Sequence, residues 1–138
     1  AAVTFIAAQV VGALAGAALA HLMFGLPVFE QSQIVRDTPA LWLSEVVATF
    51  GLVMVILGGI AAKGPVPALV GAYITAGYWF TASTSFANPA MTVARMVTGT
   101  GAGIRPLDVP AYVIAQFAGA LLALALGRWL FDQGKGSR

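Results

Sequence analysis

Long stretches without charged side chains are the feature that most restricts how this chain folds. No Lys, Arg, Asp or Glu occurs between Lys63 and Arg95, and the other three apolar stretches hold almost none. Each stretch is long enough to cross a hydrocarbon core of about 30 Å. With 59% hydrophobic and 9% charged residues, the chain has too few charges for a soluble domain, which averages about 25%. The sequence therefore predicts an integral, multi-pass membrane protein.

Four transmembrane helices and one re-entrant segment account for the apolar stretches. The predicted spans are residues 1–24, 41–62, 65–82 and 109–130. The segment 83–100 is rich in small and hydroxyl residues and contains an Asn-Pro pair, so it is a poor spanning helix. Such a segment is typical of chain that enters the membrane irregularly and returns as a short helix. The predicted fold class is an all-α membrane protein.

The charge pattern excludes one class of partner and leaves orientation weakly determined. A net charge of +2 without a basic cluster argues against nucleic-acid binding. The absence of Cys excludes disulfides and thiolate metal sites, and no metal or cofactor is expected. Four basic residues on one side oppose three on the other, which favours a cytoplasmic C-terminus. The two sets are Lys63, Arg128, Lys135 and Arg138 against Arg36, Arg95 and Arg105.

An internal repeat relates the first span to the last. The pattern AQxxGA occurs in both, so that Gln9 and Gly12 correspond to Gln116 and Gly119. Two further spans and the re-entrant segment lie between the copies. A repeat unit with three spans reverses its membrane orientation from one copy to the next, which is the inverted-repeat arrangement of transporters and channels.

The Asn88-Pro89-Ala90 triplet starts a helical run. Asn is a preferred N-cap, and Pro is best tolerated at the first helical position. One interpretation is simply a capped helix. Near the membrane midplane, however, the free N–H groups of a helix start need a water-filled cavity or a buried contact. We therefore favour a pore-lining role.

The segment SFANPAMTVAR, residues 85–95, resembles the second signature loop of the major intrinsic proteins, the aquaporins and aquaglyceroporins. AQxxGA is similar to part of their third and sixth helices. The resemblance covers the whole chain from the third helix onward. It implies an inverted-repeat bundle of six helices, two half-helices that meet at mid-membrane, and a homotetramer with one pore per subunit. It also implies that two helices and the first loop are absent here, so that this chain alone does not complete a pore.

The resemblance assigns roles around the loop. Asn88 matches the asparagine that donates to the permeating molecule, while Pro89 and Ala90 shape the start of the half-helix. Glu45 matches a buried acid that accepts N–H groups from the loop; an acid extending to the nearby interface is the alternative. The glutamines of the repeat, Gln9 and Gln116, either tie helices to re-entrant loops or bond between helices.

The selectivity filter departs from the family pattern. Most members have Arg directly after the triplet, where this chain has Met91. Arg95, one helical turn later, either lines the outer mouth or extends to the interface. The other filter positions correspond to Ala76 and Ser85, which are both small. The resemblance therefore implies a wide, aquaglyceroporin-like filter for water and small uncharged solutes such as polyols or arsenite.

Two alternatives remain, an inverted-repeat secondary transporter and a nonconducting fragment. A transporter usually needs carboxylates near the midplane, and Glu45 is the single acid in the spans. No enzyme is expected, because Ser83 and Ser85 lack a Gly-x-Ser-x-Gly elbow. The lone His21 lacks the partners of a metal site and is expected to be structural. The expected location is the bacterial inner membrane.

Overall fold

The computed structural model describes residues 1–132, with side chains to residue 131. Lys135 and Arg138, two of the residues used above to orient the chain, lie outside the described residues. The described chain contains five α-helices: α1 (Ala2–Met23), α2 (Pro39–Ala61), α3 (Val66–Phe80), α4 (Pro89–Ala94) and α5 (Val109–Asp132). Two short 3₁₀ helices, Arg95–Val97 and Pro106–Asp108, complete the regular structure of this part of the chain.

Three helical segments within residues 1–132 are long and apolar enough to cross a membrane: Ala2–Met23, Pro39–Ala61 and Pro106–Phe131. They coincide with the predicted spans 1–24, 41–62 and 109–130. The all-helical fold class with apolar spans is confirmed, while the crossing itself remains a prediction. Because α1 is apolar on all sides, it suits a membrane better than the surface of a soluble protein.

Helix α3 is shorter than the predicted span 65–82. It has 15 residues, fewer than the roughly 20 of a full crossing. The chain leaves the helix at Thr81, whose backbone is extended. Thr84, Ser85 and Ala87 then adopt positive φ angles of 65°, 52° and 52°, which a right-handed helix does not accommodate.

The described chain divides into two compact units. The first unit comprises Ala1–Thr38 and Asn88–Val113, and the second comprises Pro39–Ala87 and the residues from Ile114 onward. Helix α1 packs against α4 within the first unit, and α2 packs against α3 within the second.

Glycines let the helices of the second unit approach closely. A Cβ atom on Gly119 of α5 would overlap the carbonyl oxygen of Val46 in α2. A Cβ atom on Gly51 of α2 would overlap the hydroxyl group of Tyr73, which donates to the Ala48 carbonyl oxygen at 2.9 Å. Small residues at such contacts are typical of helices packed in membranes, where close van der Waals contact drives association.

A glycine turn ends α1 in the first unit. Gly25 has a φ of +65°, a conformation that costs glycine nothing. The N–H of Leu26 donates to the His21 carbonyl at 2.8 Å, and that of Gly25 donates to the Leu22 carbonyl at 3.2 Å. These two bonds form a Schellman cap. The turn directs the following chain back along the last turn of α1.

Candidate functional site

Asn88 caps helix α4 as its residue type predicts. Its side-chain oxygen accepts from the N–H groups of Ala90 at 2.7 Å and Met91 at 3.4 Å, and Pro89 occupies the first helical position. Its side-chain nitrogen donates to the Gln9 oxygen at 3.5 Å. The oxygen of Asn88 therefore serves the helix, while its N–H groups point away from it.

Glu45 organises the irregular chain that follows α3, residues 81–87. It is fully buried, and one oxygen accepts from the Ser83 hydroxyl at 2.6 Å and the Phe86 N–H at 2.9 Å. The other oxygen accepts from the Ala87 N–H at 2.9 Å and the Gln116 amide nitrogen at 2.7 Å. Four donors thus converge on one carboxylate, the arrangement that a buried acid requires.

The bonds to Glu45 hold a backbone that is unfavourable by itself. Positive φ at a residue with a side chain costs about 1–2 kcal/mol, and Thr84, Ser85 and Ala87 all have it. A backbone of this kind persists where surrounding contacts hold it. The N–H group of Ala87 is itself one of the four donors to Glu45.

A cavity of about 680 Å³ lies within the first unit, between α1 and the segment that follows Asn88. The α1 wall consists mainly of small residues, with larger ones at its C-terminal end: Gly12, Ala13, Gly16, Ala17, Ala20, His21, Phe24 and Leu26. The facing wall consists of Met91, Ala94, Arg95, Thr98 and Thr100. Within residues 1–132, the small α1 side chains leave this volume open beside α4.

Met91 and Arg95 line this cavity together. A spacing of four residues places them on one face, about 6 Å apart along the axis. Met91 is 39% exposed, and Arg95 is half-buried at the junction with the 3₁₀ helix. The wall thus changes from a thioether to a guanidinium over one helical turn.

The other two filter positions belong to the second unit. Ala76 is exposed on α3. The Ser85 hydroxyl is buried, packs beside Gly77 and has no hydrogen-bond partner within residues 1–132. Their part in a constriction stays a prediction.

A buried arginine whose role the sequence did not predict joins two connecting segments of the first unit. One segment follows α1, and the other lies between the two 3₁₀ helices. Arg36 is 6% exposed, and its guanidinium donates to the carbonyl oxygens of Gly103 at 2.7 Å and Gly101 at 3.0 Å. Its backbone N–H donates to Asp108 at 2.8 Å. A single arginine in a polar connection carries no sequence signal that separates this role from an exposed one.

Arg105 forms ion pairs near the surface that also connect these two segments. Arg105 donates to Asp108 at 2.7 Å and lies 3.5 Å from Asp37. The hydrogen bond to Asp108 raises the pKa of the Arg105 guanidinium above its ordinary value. Asp108 therefore accepts from two segments, through the Arg36 backbone and the Arg105 side chain.

Comparison with known proteins agrees with the resemblance in the loop. The chain is 60% identical over 132 residues to Aquaglyceroporin AqpS of Rhizobium meliloti (strain 1021), which covers 95% of this chain. The chain spans 57% of the length of that relative. Neither a protein-family model nor a solved structure matches this chain.

Aquaglyceroporins are channels rather than enzymes, so the expectation that this chain is no enzyme is confirmed. Identity of 60% is far above what shared apolar composition produces over 132 residues. The resemblance to the major intrinsic protein family is thereby confirmed, and over the matched residues this chain is a homologue of an aquaglyceroporin.

Proposed function

We propose that the full-length protein is a passive membrane channel for water and small uncharged solutes. The observation that carries this proposal is the start of α4. There the Asn88 oxygen accepts from the helix, and its amide nitrogen donates one N–H to Gln9 and keeps the other as a donor. The next residues of the helix line an open cavity. Donors beside a cavity replace the hydrogen bonds that a solute leaves behind in water.

The charges of the cavity favour a channel over an ion-coupled transporter. Within the described chain, its wall contains a guanidinium and an imidazole, from Arg95 and His21, and no carboxylate. A coupling cation is usually held by carboxylate or carbonyl oxygens near the midplane. The buried acid Glu45 already accepts four hydrogen bonds within the second unit.

The solutes we propose are neutral molecules of the size of glycerol or of a metalloid acid such as arsenite. Support comes from Met91, which replaces a bulky five-donor guanidinium by a flexible thioether, and from the small residues of the α1 wall. The name of the similar protein, an aquaglyceroporin, agrees with this solute class.

The proposed assembly is a homotetramer in a bacterial inner membrane, with the C-terminus in the cytoplasm. The family resemblance supports the tetramer, and the bacterial relative supports the location. The count of four basic residues against three supports the orientation.

We expect flux through the purified full-length protein to be passive. Stopped-flow swelling of proteoliposomes should show water and glycerol permeability well above that of protein-free vesicles. Neither rate should depend on a Na⁺ or proton gradient, because the cavity wall within residues 1–132 contains no carboxylate. Net uptake that requires either gradient would identify a secondary transporter, and vesicles as tight as the controls would identify a nonconducting protein.

Met91→Arg should reduce glycerol and arsenite uptake severalfold more than water uptake. The guanidinium adds a fixed positive charge and a rigid planar group of donors at a cavity wall where the thioether is uncharged and flexible. The measurement is the ratio of glycerol to water permeability in the same vesicles.

Met91→Leu is the matched control, because it keeps an apolar side chain of similar volume. It should leave the ratio unchanged. A ratio that is the same in wild type, Met91→Arg and Met91→Leu would show that position 91 does not line the constriction.

A further inference from the structure

His21 is the single histidine of the chain, and its setting differs from that of every other residue of α1. It is 5% exposed, whereas the rest of this fully described helix is exposed or half-buried. The chain that turns back at Gly25 covers it, and its ring nitrogen Nδ1 lies 2.6 Å from the carbonyl oxygen of Val28. Its burial is therefore produced by a local turn.

The bond to Val28 determines what the other ring nitrogen does. A carbonyl oxygen only accepts, so Nδ1 carries the hydrogen and donates it. In the neutral ring Nε2 is then a hydrogen-bond acceptor. Nε2 has no partner among the described residues, and His21 lines the cavity.

The ends of α1 and of the facing wall lie on the same side of the cavity. The Glu30 N–H donates to the Val97 carbonyl at 3.1 Å, and the Ser32 N–H donates to the Met96 carbonyl at 2.7 Å. These bonds join the chain that follows α1 to the chain that follows α4. His21 therefore belongs to the same end of the cavity as Thr98.

The two walls supply complementary hydrogen-bonding groups. Arg95 has N–H donors and no acceptor, and Met91 has only a weak thioether acceptor. A hydroxyl group of a solute needs an acceptor for its hydrogen as well as a donor for its oxygen. Nε2 of His21 supplies that acceptor from the α1 wall, while Phe24 and Leu26 offer apolar surface to the carbon atoms of the solute.

We propose that His21 is a specificity-determining residue whose Nε2 accepts a hydrogen bond from a hydroxyl group of a small neutral polyhydroxy solute in this cavity. This inference rests on the proposed channel function. Water depends less on His21, because a water molecule that loses one acceptor has other water molecules as partners. A polyol held against the wall has no such replacement.

His21→Asn separates the two roles of the ring. Its amide nitrogen takes the place of Nδ1 and keeps the bond to Val28, but it lacks the Nε2 acceptor. In full-length protein in proteoliposomes, we expect glycerol permeability to fall roughly threefold to tenfold, the loss of one hydrogen bond. Water permeability should remain within about twofold of wild type, since bulk water replaces the lost acceptor.

His21→Ala controls for the tie to Val28, because it removes both bonds and should lower folded yield as well. An unchanged ratio of glycerol to water permeability in His21→Asn would overturn the inference and leave the channel function standing.

A binding measurement tests the inference even if the protein conducts nothing. NMR of the full-length protein with ¹⁵N-labelled histidine assigns the His21 ring as the signals lost in His21→Asn. Glycerol should shift the Nε2 signal more than the Nδ1 signal, and sucrose at equal osmolality, too large for the site, should not. Wild-type vesicles without flux would refute the proposed function alone, and an Nε2 signal that glycerol leaves unmoved would refute the role of His21.

Discussion

Glu45→Ala is expected to reduce the folded protein about tenfold or more and to abolish flux with it. The substitution removes the acceptor of four buried hydrogen bonds, among them those of the Ser83 hydroxyl and the Ala87 N–H. Each unsatisfied donor costs about 1–3 kcal/mol, against a total stability of about 5–15 kcal/mol for a typical protein. The positive φ angle of Ala87 would also lose the hydrogen bond to Glu45 that holds it. The measurement is the yield of monodisperse full-length protein in detergent, followed by swelling of vesicles made from the remainder.

Glu30→Ala is the matched control, because Glu30 is exposed and its carboxylate makes no hydrogen bond within residues 1–132. It should leave yield and flux at wild-type levels. Yield and flux of Glu45→Gln should be intermediate. One oxygen still accepts two hydrogen bonds, while the new NH₂ group faces two donors from which it cannot accept. Wild-type yield and flux in Glu45→Ala would show that the carboxylate does not order the loop.

Gly119→Ala should destabilise the protein by about 1–3 kcal/mol, the usual cost of overpacking a close contact. The added methyl group would overlap the Val46 carbonyl oxygen and would approach the Phe50 backbone nitrogen to 3.0 Å. Backbone atoms of a helix do not move aside as a flexible side chain does, so α2 and α5 would have to separate. Thermal unfolding of the full-length protein, followed by size-exclusion chromatography after heating, measures the change.

Gly12→Ala is the informative comparison, because Gly12 holds the same place in the repeated AQxxGA pattern. Within the described chain a Cβ atom at Gly12 meets no heavy atom within 4 Å. The chain spans 57% of its relative, however, and the inverted repeat predicts that in the full-length protein Gly12 packs against the first helix of its own repeat copy, as Gly119 packs against α2. Gly12→Ala should therefore lower the melting temperature of the full-length protein as well. A melting temperature at or above that of wild type in Gly12→Ala would show that the two copies of the pattern do not pack alike, and a wild-type melting temperature in Gly119→Ala would show that the contact with Val46 does not constrain position 119.

Helix positions were predictable because their causes are local. A backbone in hydrocarbon must satisfy its own hydrogen bonds within a few residues, so a long apolar run indicates a helix whatever surrounds it. The cap at Asn88 is equally local, since its oxygen accepts from the N–H groups of Ala90 and Met91, two and three residues later. The early end of α3 was not predictable, because it depends on the irregular chain after Thr81, whose partner Glu45 lies far away in sequence.

The candidate site shows the same division between local and distant causes. Family resemblance indicated that Asn88, Met91 and Arg95 belong to the candidate site. Nothing in the sequence distinguished the buried Arg36, which connects two segments, from an exposed basic residue. His21 had no motif around it, and only the turn at Gly25 explains its contact with Val28.

The sequence by itself determined that this chain forms apolar helices, that one segment breaks before a capped half-helix, and which family it resembles. Those features follow from hydropathy, from side chains that bond to their own backbone, and from a specific motif. The tertiary structure alone decided which polar groups meet. The two copies of the AQxxGA pattern have different partners: Gln116 donates to Glu45, while Gln9 accepts from Asn88. The physical reason is that a buried donor or acceptor must find a partner wherever packing brings one, and that partner can lie at any distance along the chain.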